Sequence, residues 1–403
     1  MKLKTGIILI YFLLPILAKA EDLNKYDIYV EKGNDFLYVN LSLKIGNSYS
    51  EKNYFLFSEV IEIDSIRINE IITDYHRNGD TLFFDEKMNI HNLKIQYKIP
   101  LQYFTDSQAI ILRKEAKWYP YRRNELFQTS INVSDEDSFI IATGKLFGNN
   151  VFISEITDEI HLIFLPKHYY ERTTIKKDEI SLFHYYQHKN NPVKWTSHFK
   201  NEFIKSFTCF KAYFNDESTN NTLNIVEIYN NDFQMCQSLK GLILFGNIFY
   251  HIYLQNINTS WIPHEVAHQW WGNQLFFRQG KGRLFLEESI TEYLKLKYVE
   301  DTYGNQSYKE MINIYTANEE RITEKIPAIA IENVHTPNNS AIIYCKIPML
   351  LDNMIKTNPQ CDFNTIIQDV YHLYKGKYII YDDFEGQIKS IEIKQAIIEL
   401  THF

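Results

Sequence analysis

The chain has 403 residues, of which 45% are hydrophobic, 15% aromatic and 23% charged. This is the composition of a folded protein of two or three domains, and it excludes an intrinsically disordered chain. A formal net charge of −8, from 42 basic and 50 acidic residues, excludes the broad cationic field that holds a nucleic acid, and no basic stripe supplies one locally.

The first twenty residues read as a signal peptide. Lys2 and Lys4 give the positive start, Gly6 to Leu17 an apolar run interrupted by Pro15, and Ala18-Lys19-Ala20 the small-x-small pattern for cleavage after Ala20. The run is shorter than the ~20 residues of a membrane-spanning helix, and no second hydrophobic span follows. The mature chain is therefore expected to be secreted or periplasmic, with no stable membrane span. Losing Lys2, Lys4 and Lys19 takes its formal charge from −8 to −11.

Residues 21–190 are expected to form a β-rich domain, a sandwich or a curved saddle-like sheet. Val39 to Ile45 and Leu93 to Ile99 alternate apolar and polar residues, the period of a half-buried strand. Asn78-Gly79 predicts a hairpin turn, and Leu126 to Val133 and Ile160 to Leu165 predict further strands. The pattern changes near Asn190-Asn191-Pro192, where the second domain, 191–403, is expected to begin. Trp195 to Phe214 repeats phenylalanines at helical spacing; short strands follow at Leu223 to Ile228 and Gly241 to Phe245. Helices are predicted around Trp261 to Trp271, Phe285 to Tyr303, Ala341 to Ile355 and Phe363 to Tyr374.

Four cysteines, Cys209, Cys236, Cys345 and Cys361, allow three pairings in an oxidising compartment. Local pairs Cys209–Cys236 and Cys345–Cys361 stand beside the alternative of four buried thiols. Asn40, Asn132, Asn220, Asn258, Asn305 and Asn338 lie in Asn-x-Ser/Thr sequons, a pattern that an asparagine-rich chain also produces by chance. The basic loop residues Arg278, Lys281 and Arg283 read as solvated, and Trp270 and Trp271 as core and cleft wall.

The informative segment is His264-Glu265-Val266-Ala267-His268. On a helix, residues i and i+4 share one face, so two imidazoles meet one cation while Glu265 reaches a water beside it. Zinc suits imidazole ligands and leaves a position open for water. Alone, the motif is also compatible with a surface helix bearing two solvated histidines.

Its extension, His268-Gln269-Trp270-Trp271-Gly272-Asn273, makes the segment resemble the signature of the aminopeptidase N-like gluzincins, a zinc metallopeptidase family. Trp118-Tyr119-Pro120 with Thr143-Gly144, and Ile343-Tyr344-Cys345-Lys346, resemble further family segments. The resemblance covers roughly Trp118 to Asp383. It implies an α+β multidomain fold: an all-β N-terminal domain and then a mainly α, thermolysin-like catalytic domain. It also implies one zinc ion per chain, peptide substrates, and zinc-dependent hydrolysis of the aminopeptidase type. Glu265 takes the role of general base and Tyr344 that of donor to the oxyanion, with His264 and His268 as zinc ligands. For the third ligand, the family spacing lands on Glu287, whereas the local pattern around Leu286 and Tyr293 favours Glu288. Adjacent helical residues point about 100° apart, so Glu288 is expected to face the metal, with Gly280-Lys281-Gly282 absorbing one inserted residue.

Two departures qualify the resemblance. The family's Gly-x-Met-Glu-Asn strand, whose glutamate holds the substrate's ammonium, is missing from Cys236 to Ile243; Lys240 falls near the place of that glutamate and would repel an ammonium. Only 135 residues follow His268, so the family's large C-terminal helical domain is not expected. Endopeptidase or blocked-peptide cleavage is therefore the second reading, and a catalytically silent zinc-containing peptide-binding protein the third.

Overall fold

The computed structural model describes residues 23–46, 53–85, 87–106, 108–178, 181–216, 222–230, 234–255, 257, 261–358 and 362–401. The expected signal peptide, the sequons at Asn220 and Asn258, and Cys361 lie outside them. Among the described residues, no helix is long and apolar enough to cross a membrane.

The chain divides into two compact units between Tyr169 and Tyr170. The first is built of β-strands. Its largest sheet has eight strands, with Asn24–Lys32 at the centre, parallel to Phe127–Ser134 and antiparallel to Phe36–Lys44. The alternation predicted for 39–45 and 93–99 is the inward face of strands Phe36–Lys44 and Asn92–Pro100, whose apolar residues are buried. A four-stranded and a three-stranded sheet complete the unit. The hairpin predicted at Asn78-Gly79 is shifted by one residue. Asn78 pairs with Thr81, so the turn is Gly79-Asp80, and only Gly79 adopts positive φ. Trp118 and Tyr119 are fully buried: the Trp118 indole donates to the Ile160 carbonyl (3.0 Å), and the Tyr119 hydroxyl accepts from the Ile160 N–H (3.1 Å).

The second unit begins about twenty residues before the expected boundary at 191. Strands Tyr170–Lys176 and Leu182–His188 are its own. The physical reason is pairing: Leu182–His188 runs parallel to Thr222–Ile228, which runs parallel to Leu242–Gly246. Helix α1 (Ser197–Tyr213) makes the crossover that parallel strands require. The Thr196 hydroxyl caps α1 by accepting from the Phe199 N–H at 3.1 Å. One edge of this five-stranded sheet is Cys236–Leu239, antiparallel to Leu242–Gly246 across the turn Lys240-Gly241, where Gly241 takes φ +75°.

The helices that follow carry the chemistry. After α2 (Ile248–Gln255) comes α3 (Ile262–Ala267), shorter than the predicted 261–271 because His268 already caps it. A π turn at Phe285–Ser289 leads into α4 (Ile290–Glu319), which kinks at Gly304. A second π turn, Ile342–Lys346, leads into α5 (Ile347–Thr357). The predicted helix over 363–374 is present as Phe363–Tyr374. Aromatic residues of α1 anchor the core: Phe199 is fully buried, its ring centroid 4.8–5.3 Å from those of Tyr250, Tyr253, Trp195 and Phe203.

Phe199→Ala should lower stability by about 3–5 kcal/mol, whereas Tyr38→Ala, on the solvated face of the large sheet, should stay within about 0.5 kcal/mol. Equilibrium urea unfolding measures both. Equal small shifts would contradict the packing described.

Candidate metal centre

His264 and His268 lie on one face of α3 and its cap, both buried. Their Nε2 atoms are 3.1 Å apart. A carboxylate oxygen of Glu288, from the first π turn, lies 3.3 Å from His264 Nε2 and 3.7 Å from His268 Nε2. Among the described residues these three form the one cluster of metal-ligating side chains of this kind. The spacing itself tests the fit. Ligands at about 2.0–2.1 Å from a tetrahedral zinc ion lie roughly 3.3–3.4 Å from one another, close to the separations found here. Nitrogen–nitrogen–oxygen is also a donor set that zinc accepts.

The neighbouring side chains hold this arrangement. The Nδ1 of His268 faces the Trp271 carbonyl at 3.0 Å, which turns Nε2 toward the centre. The Nδ1 of His264 is 2.6 Å from Glu292, an ion-pair contact off the line of a straight hydrogen bond. Glu292 is itself held by Lys295 at 2.7 Å and by the Tyr315 hydroxyl. Sequence reasoning missed Glu292, although its spacing of four from Glu288 places both carboxylates on one helical face. Gln269 fastens α3 to the edge strand: its oxygen accepts from the Gly241 N–H (2.8 Å), and its nitrogen donates to Ser238 (2.7 Å) and the Leu239 carbonyl (2.9 Å). Asn273 also donates to Ser238, at 3.1 Å. Gly272 takes φ +136°, and a Cβ there would sit 3.1 Å from His268 Nδ1. The motif's glutamine, glycine and asparagine thus position the histidine helix.

Glu287 and Glu288 separate cleanly. Glu287 pairs with Arg283, while Glu288 meets the histidines. Glu288 itself lies in the π turn Phe285–Ser289, which holds one residue more than an α turn. Tyr344 sits in the second π turn, 5.9 Å ring to ring from His264, with its phenol near Glu288. Ser289 donates to the Ile343 carbonyl at 2.7 Å, joining the two π turns and with them Glu288 to Tyr344.

Burial disfavours every charge here, and the partners decide which charges persist. Burial lowers both imidazoles, but Glu288 and Glu292 outweigh it and hold His264 up at about 10; Glu288 does the same for His268. Burial raises Glu288, but the two histidines hold it well below the usual carboxylate range. Lys295 and His264 overcome the same penalty at Glu292 and bring it to about 2. Glu265 is raised by burial, with the histidines pulling against it. Burial and then Glu288 raise the Tyr344 phenol, which therefore stays protonated.

These residues line a cavity of about 740 Å³, together with Cys236, Gln237 and Ser238 of the edge strand. Lys240 does not line it. It occupies the turn after the strand, so the expected repulsion of an ammonium by Lys240 is corrected: uncharged side chains face the cavity on that side. Nor is the pair Cys209–Cys236 formed. Both are free thiols, as is Cys345, and the Cys236 thiol lies near Glu265 instead. A second hollow, of about 560 Å³, lies on the polar face of the eight-stranded sheet and is lined by residues such as Tyr29, Asn40 and Gln96.

The peptidase family M1 domain matches residues 203–402. The M1 zinc metallopeptidase of Deinococcus radiodurans is similar in structure, with TM-score 0.70 and 13% identity over 95% of this chain and 93% of that one. So is leukotriene A4 hydrolase of Saccharomyces cerevisiae, with TM-score 0.67 and 15% identity over 93% of this chain and 66% of that one. At such identities these likenesses establish a shared fold, the two-part β then α+β architecture. No curated protein matches in sequence.

Glu292→Gln should weaken zinc binding about 10- to 100-fold, Glu288→Ala more, and Glu287→Ala little. Competition with a chromophoric chelator measures all three; a larger loss for Glu287→Ala than for Glu288→Ala would contradict the geometry.

Proposed function

Because the chain belongs to peptidase family M1 and is thereby a zinc metallopeptidase, we propose that it cleaves peptides outside the cytoplasm as an aminopeptidase-type enzyme. His264, His268 and Glu288 hold one zinc ion, Glu265 is the general base, and Tyr344 is the donor to the oxyanion. The observation that carries the reading is the convergence of three zinc-type donors with Glu265 and Tyr344 on one cavity. The secretory location rests on the leader-like start of the sequence.

Zinc in this site supplies Lewis acidity to a water molecule and to the scissile carbonyl. Glu265 accepts the water's proton and later delivers it to the leaving amine. Burial suits it to both tasks, since a raised pKa lies nearer working pH than that of an ordinary carboxylate. Tyr344, protonated and half-buried, donates a hydrogen bond to the carbonyl oxygen as charge builds there. Glu292 and the Trp271 carbonyl keep the histidine rings aimed. The Deinococcus radiodurans enzyme has been crystallised with the peptide Tyr-Ser-Ala, which supports peptides as the substrate class.

A second reading, cleavage within chains or of blocked peptides, is favoured by the edge strand, whose cavity-lining residues Cys236, Gln237 and Ser238 are uncharged. The retained Glu265 and Tyr344 speak against a silent peptide-binding protein, because binding needs neither.

Glu265→Gln should lose about 100- to 10,000-fold in rate, and Tyr344→Phe about 100- to 1000-fold, both at unchanged zinc content. Full activity in either variant would remove that residue from the mechanism. Matched peptides with free and acetylated amino termini, analysed by mass spectrometry, separate the two specificities: stepwise shortening of free peptides alone is expected. Equal cleavage of blocked peptides would establish the second reading.

A further inference from the structure

We infer that Phe249 and Trp261 form an aromatic subsite that selects a large apolar side chain beside the scissile bond; this rests on the peptidase reading above.

The cavity is chemically mixed. Its lining combines the metal-type donors, Glu292 and Lys295 with the two aromatic rings of Phe249 and Trp261. These two rings belong to an aromatic cluster whose deeper members, Phe203 and Phe245, are fully buried. Trp261 packs 5.2 Å from Phe245 and 5.9 Å from Phe203, centroid to centroid. Phe249 and Trp261 are only half-buried, and the open part of each contributes to the cavity wall.

The wall is rigid. The Trp261 indole donates to the Phe249 carbonyl at 2.9 Å, and the two rings meet edge to face at 5.6 Å. A preformed aromatic surface of this kind gains from burying an apolar side chain and pays no rotamer entropy of its own. An aspartate against it would be desolvated without a partner, since the Lys295 ammonium is engaged by Glu292.

The location assigns the subsite to the reacting bond. The Trp261 carbonyl accepts from the Glu265 N–H at 3.3 Å, the hydrogen bond of a single helical turn. Trp261 and Glu265, four residues apart, therefore share one helical face and both line the cavity, so a side chain that touches the indole there belongs to a residue flanking the bond attacked. Hydrophobic pockets of this kind discriminate by about 10- to 200-fold between side chains that differ by one methylene.

The test uses the zinc-loaded, full-length Glu265→Gln protein and calorimetry with matched tetrapeptides, each position in turn carrying Phe, Leu, Ala, Asp or Lys. At one position Phe and Leu should bind at least about tenfold more tightly than Ala, Asp or Lys. Adding Trp261→Ala or Phe249→Ala should shrink that ratio to within about threefold; the second variant serves if the first does not fold. Equal binding of all five residues, a preference for Lys or Asp, or a ratio unchanged by both variants would overturn the subsite. Parent-enzyme cleavage of the same peptides keeps the two readings apart. Hydrolysis without side-chain preference defeats the subsite alone, whereas apolar preference in binding without hydrolysis defeats the peptidase reading alone. Absence of binding by every peptide defeats both.

Discussion

Two imidazoles one helical turn apart must aim their Nε2 atoms at a single point, and much of the second unit is arranged to hold them there. An isolated helix end would let both rings rotate into solvent. Here each ring is buried and gripped on its far side, His268 by a backbone carbonyl and His264 by Glu292. The helix is fixed in turn by Gln269 and Asn273 to the edge strand, and by the Trp271 indole to the Leu286 carbonyl at 2.5 Å. That last bond ties the histidine helix to the turn bearing Glu288. Preorganisation of this kind lets a site act without rearranging its charges.

The same burial explains why so many ionisable groups share one place. Unpaired, each buried carboxylate or imidazolium would be heavily penalised. Assembled, Glu288 and Glu292 offset the two histidines, Lys295 offsets Glu292, and the cluster presents its positive-charge-seeking face to the cavity. Glu265 stands apart: it lies against the Cys236 thiol, bears no basic side-chain partner beyond the histidines, and keeps a raised pKa. Inert ligands and a reactive base thus differ through their neighbours, although three of the groups are the same amino acid.

The features legible in the sequence were those with a short, local period. The His264/His268 spacing, the helix over 363–374 and the alternation of 39–45 and 93–99 each declare themselves within a few residues. That only one of Glu287 and Glu288 can face the histidines was also legible, because neighbouring helical residues diverge. The local pattern around Leu286 and Tyr293 points to Glu288, the one that meets them here. What stayed hidden depended on partners distant in sequence. Strands Tyr170–Lys176 and Leu182–His188 read like the β domain before them, and only their pairing with Thr222–Ile228 assigns them to the second unit. The turn position of Lys240 follows from the pairing of Leu239 with Leu242. The π turns leave no periodic trace, yet they place both Glu288 and Tyr344. Glu292 was readable by spacing alone, but its role appears only with His264 beside it.

The claim on which everything else stands is that His264, His268 and Glu288 together hold zinc. X-ray absorption at the zinc edge of the metal-loaded protein tests it most directly. The account predicts a first shell of nitrogen and oxygen at about 2.0–2.2 Å that includes two imidazoles. A sulfur scatterer near 2.3 Å would bring the Cys236 thiol into the shell, and a shell with a single imidazole would separate the two histidines; either would contradict the centre described.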